Sequence, residues 1–431
     1  MKSFKKSNTR LTASINAVIA QFHRLPNEER VINIVDRVSN LTENEVEKAM
    51  RDLRAEFGYR HNYFDELLMD HFMRTQAITG GLAGFSHARK LLLGGFLTKE
   101  YSIQSAALFN PSIVSHPDQS GIAAGEQRFI MSLRATGEGH ISSIIFKTGI
   151  VNENGDVKFD ETSGRFTVLK KSATQPLPPK GIEKSDMDFY DTNYDLESPP
   201  GLALTEKVIF PSASCESMGM EDLRLVKFND DNGAIFYGTY TAYNGRQIRT
   251  MLLETRDFNS FKIRTLQGNA INDKGMALFP EKINGKYVIC SRQGSEKLSI
   301  MYSDDLYQWD EFSLLKEPEF DWEFVQIGNC GSPIKTKKGW LLLTHGVGAF
   351  RKYVISAILL DLQNPSKIIG RLAKPLLSAG ENEREGYVPN VVYTCGFIQH
   401  GKIALIPYAI SDTATVFASF VIEEILGEMG A

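Results

Sequence analysis

With 431 residues, a net charge of −4, 42% apolar and 23% charged residues, the chain has the balance of an ordinary soluble globule and no global attraction for nucleic acid. Its four cysteines, Cys215, Cys290, Cys330 and Cys395, stand far apart without a CxxC pair, so neither a zinc site nor a disulfide framework is indicated. Ser, Asn and Gln interrupt the apolar run from Leu11 to Phe22 and no transmembrane-length stretch follows, so a cytoplasmic protein with a small or neutral partner and no membrane contact is expected.

The pattern from about Ser14 to Leu97 predicts helices. Thr42-Glu43-Asn44-Glu45 is a capping signature, Val46, Met50, Leu53 and Phe57 are spaced for one helix face, and Gly58 ends that helix. Tyr63, Leu67, Leu68 and Phe72 continue the pattern, and Ser86 to Leu93 resumes it after Gly80, Gly81 and Gly84. His61 and His71 lie ten residues apart, a spacing with no simple ligand geometry on one helix, so both are read as structural or solvent-facing. Residues 1–100 are therefore expected to form either a helical cap or an oligomerisation segment, the second of which would give a homo-oligomer, and 101–431 a separate catalytic domain.

From Tyr101 onward the character turns to β, with short apolar runs such as Phe129 to Leu133, Ile141 to Phe146 and Ala234 to Tyr237 between turn signals. Gly-x-apolar-x-apolar starts recur at Gly233, Gly285, Gly339 and Gly401, at intervals of 52, 54 and 62 residues, and Gly125 lies two periods earlier. Such intervals fit blades of four strands, and five starts predict a mainly β, five-bladed β-propeller. Arg256 to Phe261 is echoed by Asp304 to Trp309, 48 residues on. Pro176 to Gly201, rich in Pro, Asp and Ser, is expected to be a long excursion over one propeller face.

A propeller gathers one loop per blade at one end of its channel, so site residues should be scattered at blade intervals. Asn110-Pro111-Ser112, Arg134, Glu221-Asp222-Leu223-Arg224, Lys274, Arg292, His345 and Asp412 follow that pattern. On a regular strand Glu221 and Leu223 would face one way while Asp222 and Arg224 share the other. An arginine that close keeps a carboxylate charged, whereas enclosure raises its pKa, and a general acid needs the second effect. Read alone, the segment also fits a surface salt bridge, and Lys274, Arg292 and His345 each fit ordinary surface or packing roles. Together the last three make a cationic anion site: a point charge, a planar fork and an imidazole serving as donor or cation. No Gly-rich phosphate loop, paired-His metal motif or Gly-x-Ser-x-Gly elbow accompanies them, so no nucleotide, metal or other cofactor is expected.

Gly219-Met220-Glu221-Asp222-Leu223-Arg224, Tyr240-Thr241-Ala242-Tyr243, Leu278 to Tyr287, Gly331-Ser332-Pro333, Gly339 to Gly346 and Asp412-Thr413 together resemble glycoside hydrolase family 130, the β-mannoside phosphorylases and β-mannosidases. The resemblance covers about Asn110 to Val421. It implies a five-bladed propeller with a mannosyl unit in its axial pocket and the aspartate of a Glu-Asp-Pro-Arg motif, here Asp222, as proton donor, with Leu223 replacing the family proline. By the same resemblance Asn110, Ser112, Arg134 and Asp412 match mannose-contacting positions, with Glu221, Arg224 and Tyr240 in the shared stretches as further substrate-binding candidates. Lys274, Arg292 and His345 match positions that bind the attacking phosphate.

The first expectation is thus an inverting phosphorylase that converts a β-linked mannoside and inorganic phosphate to α-mannose 1-phosphate and a shortened acceptor. A second is an inverting β-mannosidase, with Glu281 or Glu296 as the nearest candidates for a base, although Glu281 is expected to pair with Lys282 or Lys286. A third is a non-catalytic sugar-binding propeller, against which the intact acid and cationic set argue, because a neutral sugar needs no three cations.

Overall fold

The computed structural model describes residues 4–172, 192–230 and 233–430. Most of the stretch from Pro176 to Gly201, expected to cross a propeller face, lies outside the described residues. The chain divides into two compact units, one of residues 14–103 and 162–168, the other of the remaining sequence. The expected division at 100/101 followed composition; by contacts, the first strand, Lys5–Thr12, belongs with the β-rich unit, where it pairs with Ala414–Val421.

The smaller unit holds helices α1 (Glu28–Ser39), α2 (Glu43–Phe57), α3 (Phe64–Thr79) and α4 (His87–Phe96). It is not wholly helical: Val18–Phe22 and Thr98–Ser102 pair antiparallel, because this apolar run is too short and too β-branched to make a helix turn pattern. Thr42 and Glu45 close the expected capping box at the start of α2, and Gly58 caps its end. Val46 and Met50 of α2 pack on Leu68, Leu91 and Leu92. A side chain on Gly94 would lie 1.9 Å from the Leu68 carbonyl, so only glycine lets α4 cross α3 this closely. Arg89 donates to the Val38, Ser39 and Leu41 carbonyls and to Glu43, satisfying the end of α1. Both histidines are structural: His61 Nε2 is 2.8 Å from Glu100, and His71 Nδ1 is 2.6 Å from the Thr98 hydroxyl.

The larger unit is built of antiparallel strands in five groups. Ala107–Ser115, Glu126–Thr136, Ser142–Asn152 and Val157–Phe159 pair in sequence. So do Gly219–Asp230, Gly233–Tyr243, Ile248–Thr255 and Ser260–Thr265, with Tyr194–Glu197 and then Lys170–Lys171 added beyond the last. One parallel bridge, Gly219 to Ser142, joins these two groups into a larger sheet. The third group is Ala277–Leu278, Tyr287–Gln293, Lys297–Ser303 and Ser313–Lys316. The fourth centres on Trp340–Val347 and Tyr353–Leu360, flanked by Gln326–Asn329 and Ile368–Arg371. The fifth joins Val392–Tyr393, Ile403–Ile410 and Ala414–Val421 to the first strand of the chain.

Gly125, Gly233, Gly285, Gly339 and Gly401 each begin the second strand of a group or precede it by one or two residues. Four of them have positive φ, as tight hairpins require, while Gly339 is needed because a Cβ there would sit 2.5 Å from the Leu360 carbonyl. The echoed segments are turns of one kind: Asp257 Oδ1 accepts from Asn259 N and Ser260 N, and Asp305 Oδ1 from Tyr307 N. Between the groups the apolar faces interlock, for example Leu223, Leu225 and Phe236 against Ile144 and Phe146.

Candidate active site

Two β-bulges build the site. In the first group the register skips between Phe109 and Ser112, and in the second between Glu221 and Arg224, so two residues oppose one on each neighbouring strand. The extra residue at each bulge, Asn110 (φ 47°) and Asp222 (φ 58°), is left-handed, a conformation that Asn and Asp tolerate better than most side chains. The bulge corrects the regular alternation expected for this strand, because Glu221, Asp222 and Arg224 all line one cavity. Leu223 stands where the first bulge has Pro111, and its side chain is buried over Gly238, where a Cβ would lie 2.6 Å from Leu223 Cδ1.

The cavity, of about 260 Å³, is lined by Asn110, Arg134, Glu221, Asp222, Arg224, Lys274, Arg292, His345 and Asp412 among the expected residues. Asn110 Nδ2 donates to Asp222 Oδ1 at 2.7 Å, and Arg134 Nη1 lies 3.4 Å from the same oxygen. Among the described residues no donor reaches Asp222 Oδ2. Arg134 Nη2 also donates to Glu221 at 2.9 Å, and Lys274 Nζ is 3.6 Å from the other Glu221 oxygen. Arg224 does not pair with the Asp222 carboxylate. It holds the bulge by donating to the Asp222 carbonyl at 2.9 Å, the Cys330 carbonyl at 2.8 Å and the Tyr393 hydroxyl at 2.6 Å.

Two expected substrate contacts lie elsewhere. Ser112 is fully buried and its hydroxyl accepts from Leu225 N at 2.9 Å, tying the two bulged strands together. Tyr240 donates to Glu216 at 2.6 Å inside the second group, where Tyr194 and the Ser212 and Ala213 amides bind the same carboxylate. Both were read from motif position, and the bulges set which neighbours face the cavity. The cavity adds Arg351, Tyr353 and Tyr393, which carry no motif. Only Tyr393 had a signal, Arg224, whose donors need acceptors once buried.

Burial alone would raise the Asp222 carboxyl, but Arg134, then Arg224 and Lys274, with the Asn110 amide, outweigh it and hold the group below its ordinary range. Asp412, at the tip between Ile403–Ile410 and Ala414–Val421, behaves oppositely: burial first, then the Asp222 charge, pushes it up to about 6. His345 is not a cation. Burial, then Arg292 and Arg224, depress it to about 3, so the imidazole is neutral near pH 7. Its Nδ1 lies 3.2 Å from the Asn329 carbonyl, and Gln326 fits best with its oxygen 3.0 Å from His345 Nε2 and 2.6 Å from Arg292 Nη1. A neutral imidazole has one N–H to share between those acceptors. Arg292 also reaches Asp273 at 3.3 Å, yet its Nε is buried without a hydrogen-bond partner.

The lining carries five cations, Arg134, Arg224, Lys274, Arg292 and Arg351, against the three carboxyls of Glu221, Asp222 and Asp412. Neither candidate base for hydrolysis lines it. Glu281 pairs with Lys335 on the surface, not with Lys282 or Lys286, because Lys282 lies over the Tyr287 ring and Lys286 pairs with Asp304. Glu296 follows the hairpin after Arg292, and its carbonyl accepts from Ile327 N. Among the described residues no cluster of His, Cys, Asp and Glu could hold a metal ion.

A family model described as beta-1,4-mannooligosaccharide phosphorylase, that of glycoside hydrolase family 130, matches residues 198–430. The chain belongs to glycoside hydrolase family 130. It is 36% identical over 217 residues to a 1,2-beta-oligomannan phosphorylase of Thermoanaerobacter sp. (strain X514), covering 49% of this chain and 71% of that protein. It is 31% identical over 230 residues to a beta-1,2-mannobiose phosphorylase of Listeria innocua, covering 51% of this chain and 63% of that one. The solved structure of beta-1,2-mannobiose phosphorylase from Listeria innocua, in complex with beta-1,2-mannobiose, superimposes with a TM-score of 0.52 at 22% identity, over 75% of this chain and 92% of that chain. That likeness covers a larger share of the chain than the residues matched by the family model.

Proposed function

We propose that this family 130 chain is an inverting β-mannoside phosphorylase, with β-1,2-linked manno-oligosaccharides as the first substrates to try, since two of its relatives are named for that linkage. The observation that carries the reading is one cavity holding Asp222, whose Oδ2 no described donor reaches, together with a cationic excess in which Arg292 Nε is buried and unpartnered. An unpaired buried guanidinium N–H is costly, and a phosphate oxygen would satisfy it with a charge-assisted bond.

In the reaction a phosphate oxygen bonds to the anomeric carbon from the face opposite the leaving group, the glycosidic C–O bond breaks, and the departing oxygen takes a proton. The β-mannoside becomes α-mannose 1-phosphate and a shortened acceptor. Asp222 delivers the proton, directly or through a sugar hydroxyl. Its cationic neighbours hold it ionised, and a neutral sugar that displaces water strengthens the burial effect that favours its protonated form. Lys274 and Arg292 hold the phosphate, and neutral His345 contributes a hydrogen bond and not a charge. Asn110, Arg134 and Asp412 position the mannosyl unit. Hydrolysis is disfavoured because neither Glu281 nor Glu296 lines the cavity to activate water.

The same reading arranges the five strand groups as blades of a propeller about this cavity. Its support is that each group, or the loop leading into it, gives a lining residue: Asn110, Asp222, Lys274, His345 and Asp412 in chain order. Phosphate is a co-substrate and no other cofactor enters. Four free thiols and a phosphate co-substrate suit a cytoplasmic enzyme, and no described helix is long and apolar enough to cross a membrane. Exposed Ile32, Met73, Ile78 and Phe96 on the helices suit self-association. The test is reverse synthesis from α-mannose 1-phosphate against a panel of acceptors: phosphate release with mannose or β-1,2-mannobiose supports the reading, and no release with any acceptor refutes it.

A further inference from the structure

A second cavity, of about 440 Å³, lies in the larger unit outside the site described above, within the size range of small-molecule sites. Ser214, Asn244, Arg246, Gln247 and Arg249 give it its polar lining, and no carboxylate lines it. It sits at the hairpin joining Gly233–Tyr243 to Ile248–Thr255, where Gly245 takes φ 90°. Arg249 pairs in register with Ala242, and Ala242 with Met220, so the cavity lies two strand spacings, about 10 Å, from the strand carrying Glu221 and Asp222.

The chemistry offered there is that of donors. Arg249 Nη1 is buried and has no hydrogen-bond partner, and Arg246 is exposed without an ion pair among the described residues. The Asn244 side-chain oxygen is already used by Arg246 N and Gln247 N, at 3.0 and 2.8 Å, which leaves its amide hydrogens. The nearest acid in sequence, Glu216, gives its oxygens to two tyrosine hydroxyls and two backbone amides and makes no hydrogen bond to Arg249. Cys215 stays a neutral thiol, pushed up to about 12 by burial and then by Glu216. Two guanidinium groups, one with an unsatisfied buried N–H, in a lining without a carboxylate, favour a ligand rich in acceptors and negative charge.

We propose that this cavity is a second anion site, which binds a phosphate group separately from the catalytic cavity. The phosphate comes either as the free ion or on a sugar. Titration calorimetry on the full chain, with inorganic phosphate and separately with α-mannose 1-phosphate without acceptor, distinguishes these sources by which probe fills the site more tightly. Two phosphates per chain are expected for the wild type. Arg249→Gln and Arg246→Ala should each weaken one of the two by about ten- to a hundred-fold, the loss of one charge-assisted bond, with kcat unchanged. Arg246 is on the surface, so its variant keeps the fold, and Arg249→Lys should recover part of the binding. Sites insensitive to both arginine substitutions would overturn the proposal. If instead the catalytic reading alone were wrong, one site would remain, lost in Arg246→Ala and indifferent to Arg292→Ala.

Discussion

Asp412→Asn should stabilise the protein at alkaline pH and leave it nearly unchanged in acid. In the folded chain Asp412 is pushed up to about 6 from an ordinary 3.8, by burial and by the neighbouring Asp222 charge. A group held in its protonated form by folding contributes nothing unfavourable below the unfolded value, and its cost grows as pH rises from about 4 through 6, where the folded group ionises. The gap between 3.8 and about 6 corresponds to roughly 3 kcal/mol at pH 8, an upper figure because the side chain is only partly enclosed. Asparagine keeps the shape and cannot ionise, so the variant escapes that cost. Urea unfolding of both proteins at pH 4 and pH 8 measures it: the difference in unfolding free energy should be small at pH 4 and favour the variant by about 1 to 3 kcal/mol at pH 8. An equal difference at both pH values would mean that Asp412 is not held against its charge by Asp222, and the electrostatic description of the cavity would fail.

Asp222→Asn should retain the fold, by melting temperature, and lose at least about 100-fold in kcat, because the amide cannot deliver a proton. Lys274→Ala, at a half-exposed position, should raise the phosphate concentration needed for half-maximal phosphorolysis about ten-fold, and Arg292→Ala, at a more enclosed one, by more, with mannoside affinity changed much less in each. His345→Gln should change acid stability: below pH 6.5 the unfolded chain takes up a proton that the folded imidazole refuses down to about 3, so wild-type stability falls with pH in that window and the variant is relieved of the fall. Parallel losses in melting temperature between pH 7 and pH 4 would show that His345 is not held neutral.

Features set by local chain chemistry could be read in advance. The hairpin glycines at 125, 233, 285 and 401 repeat because a tight turn needs positive φ, and the α2 capping box is spelled out by Thr42 and Glu45. The bulges at Asn110 and Asp222 were not legible, because a bulge is a mismatch of register between two strands and only the partner's count of residues reveals it. That one feature explains the misplaced Ser112, the altered partner of Arg224 and the pairing of Asn110 with Asp222. The pairing of Lys5–Thr12 with Ala414–Val421 joins the two ends of the chain, and its polar sequence carries no sign of so distant a partner. His345 was identifiable as a site residue by its setting between Thr344 and Gly346, but its charge depends on burial and on two arginines from other groups, which no local pattern encodes.

Phosphorolysis is tested most directly by incubating the purified chain with β-1,2-mannobiose, with and without inorganic phosphate, and identifying the products by anomer-resolved NMR. The expected result is α-mannose 1-phosphate and mannose in equal amounts with phosphate, and no cleavage without it. Cleavage to free mannose alone, at the same rate whether or not phosphate is present, would contradict it.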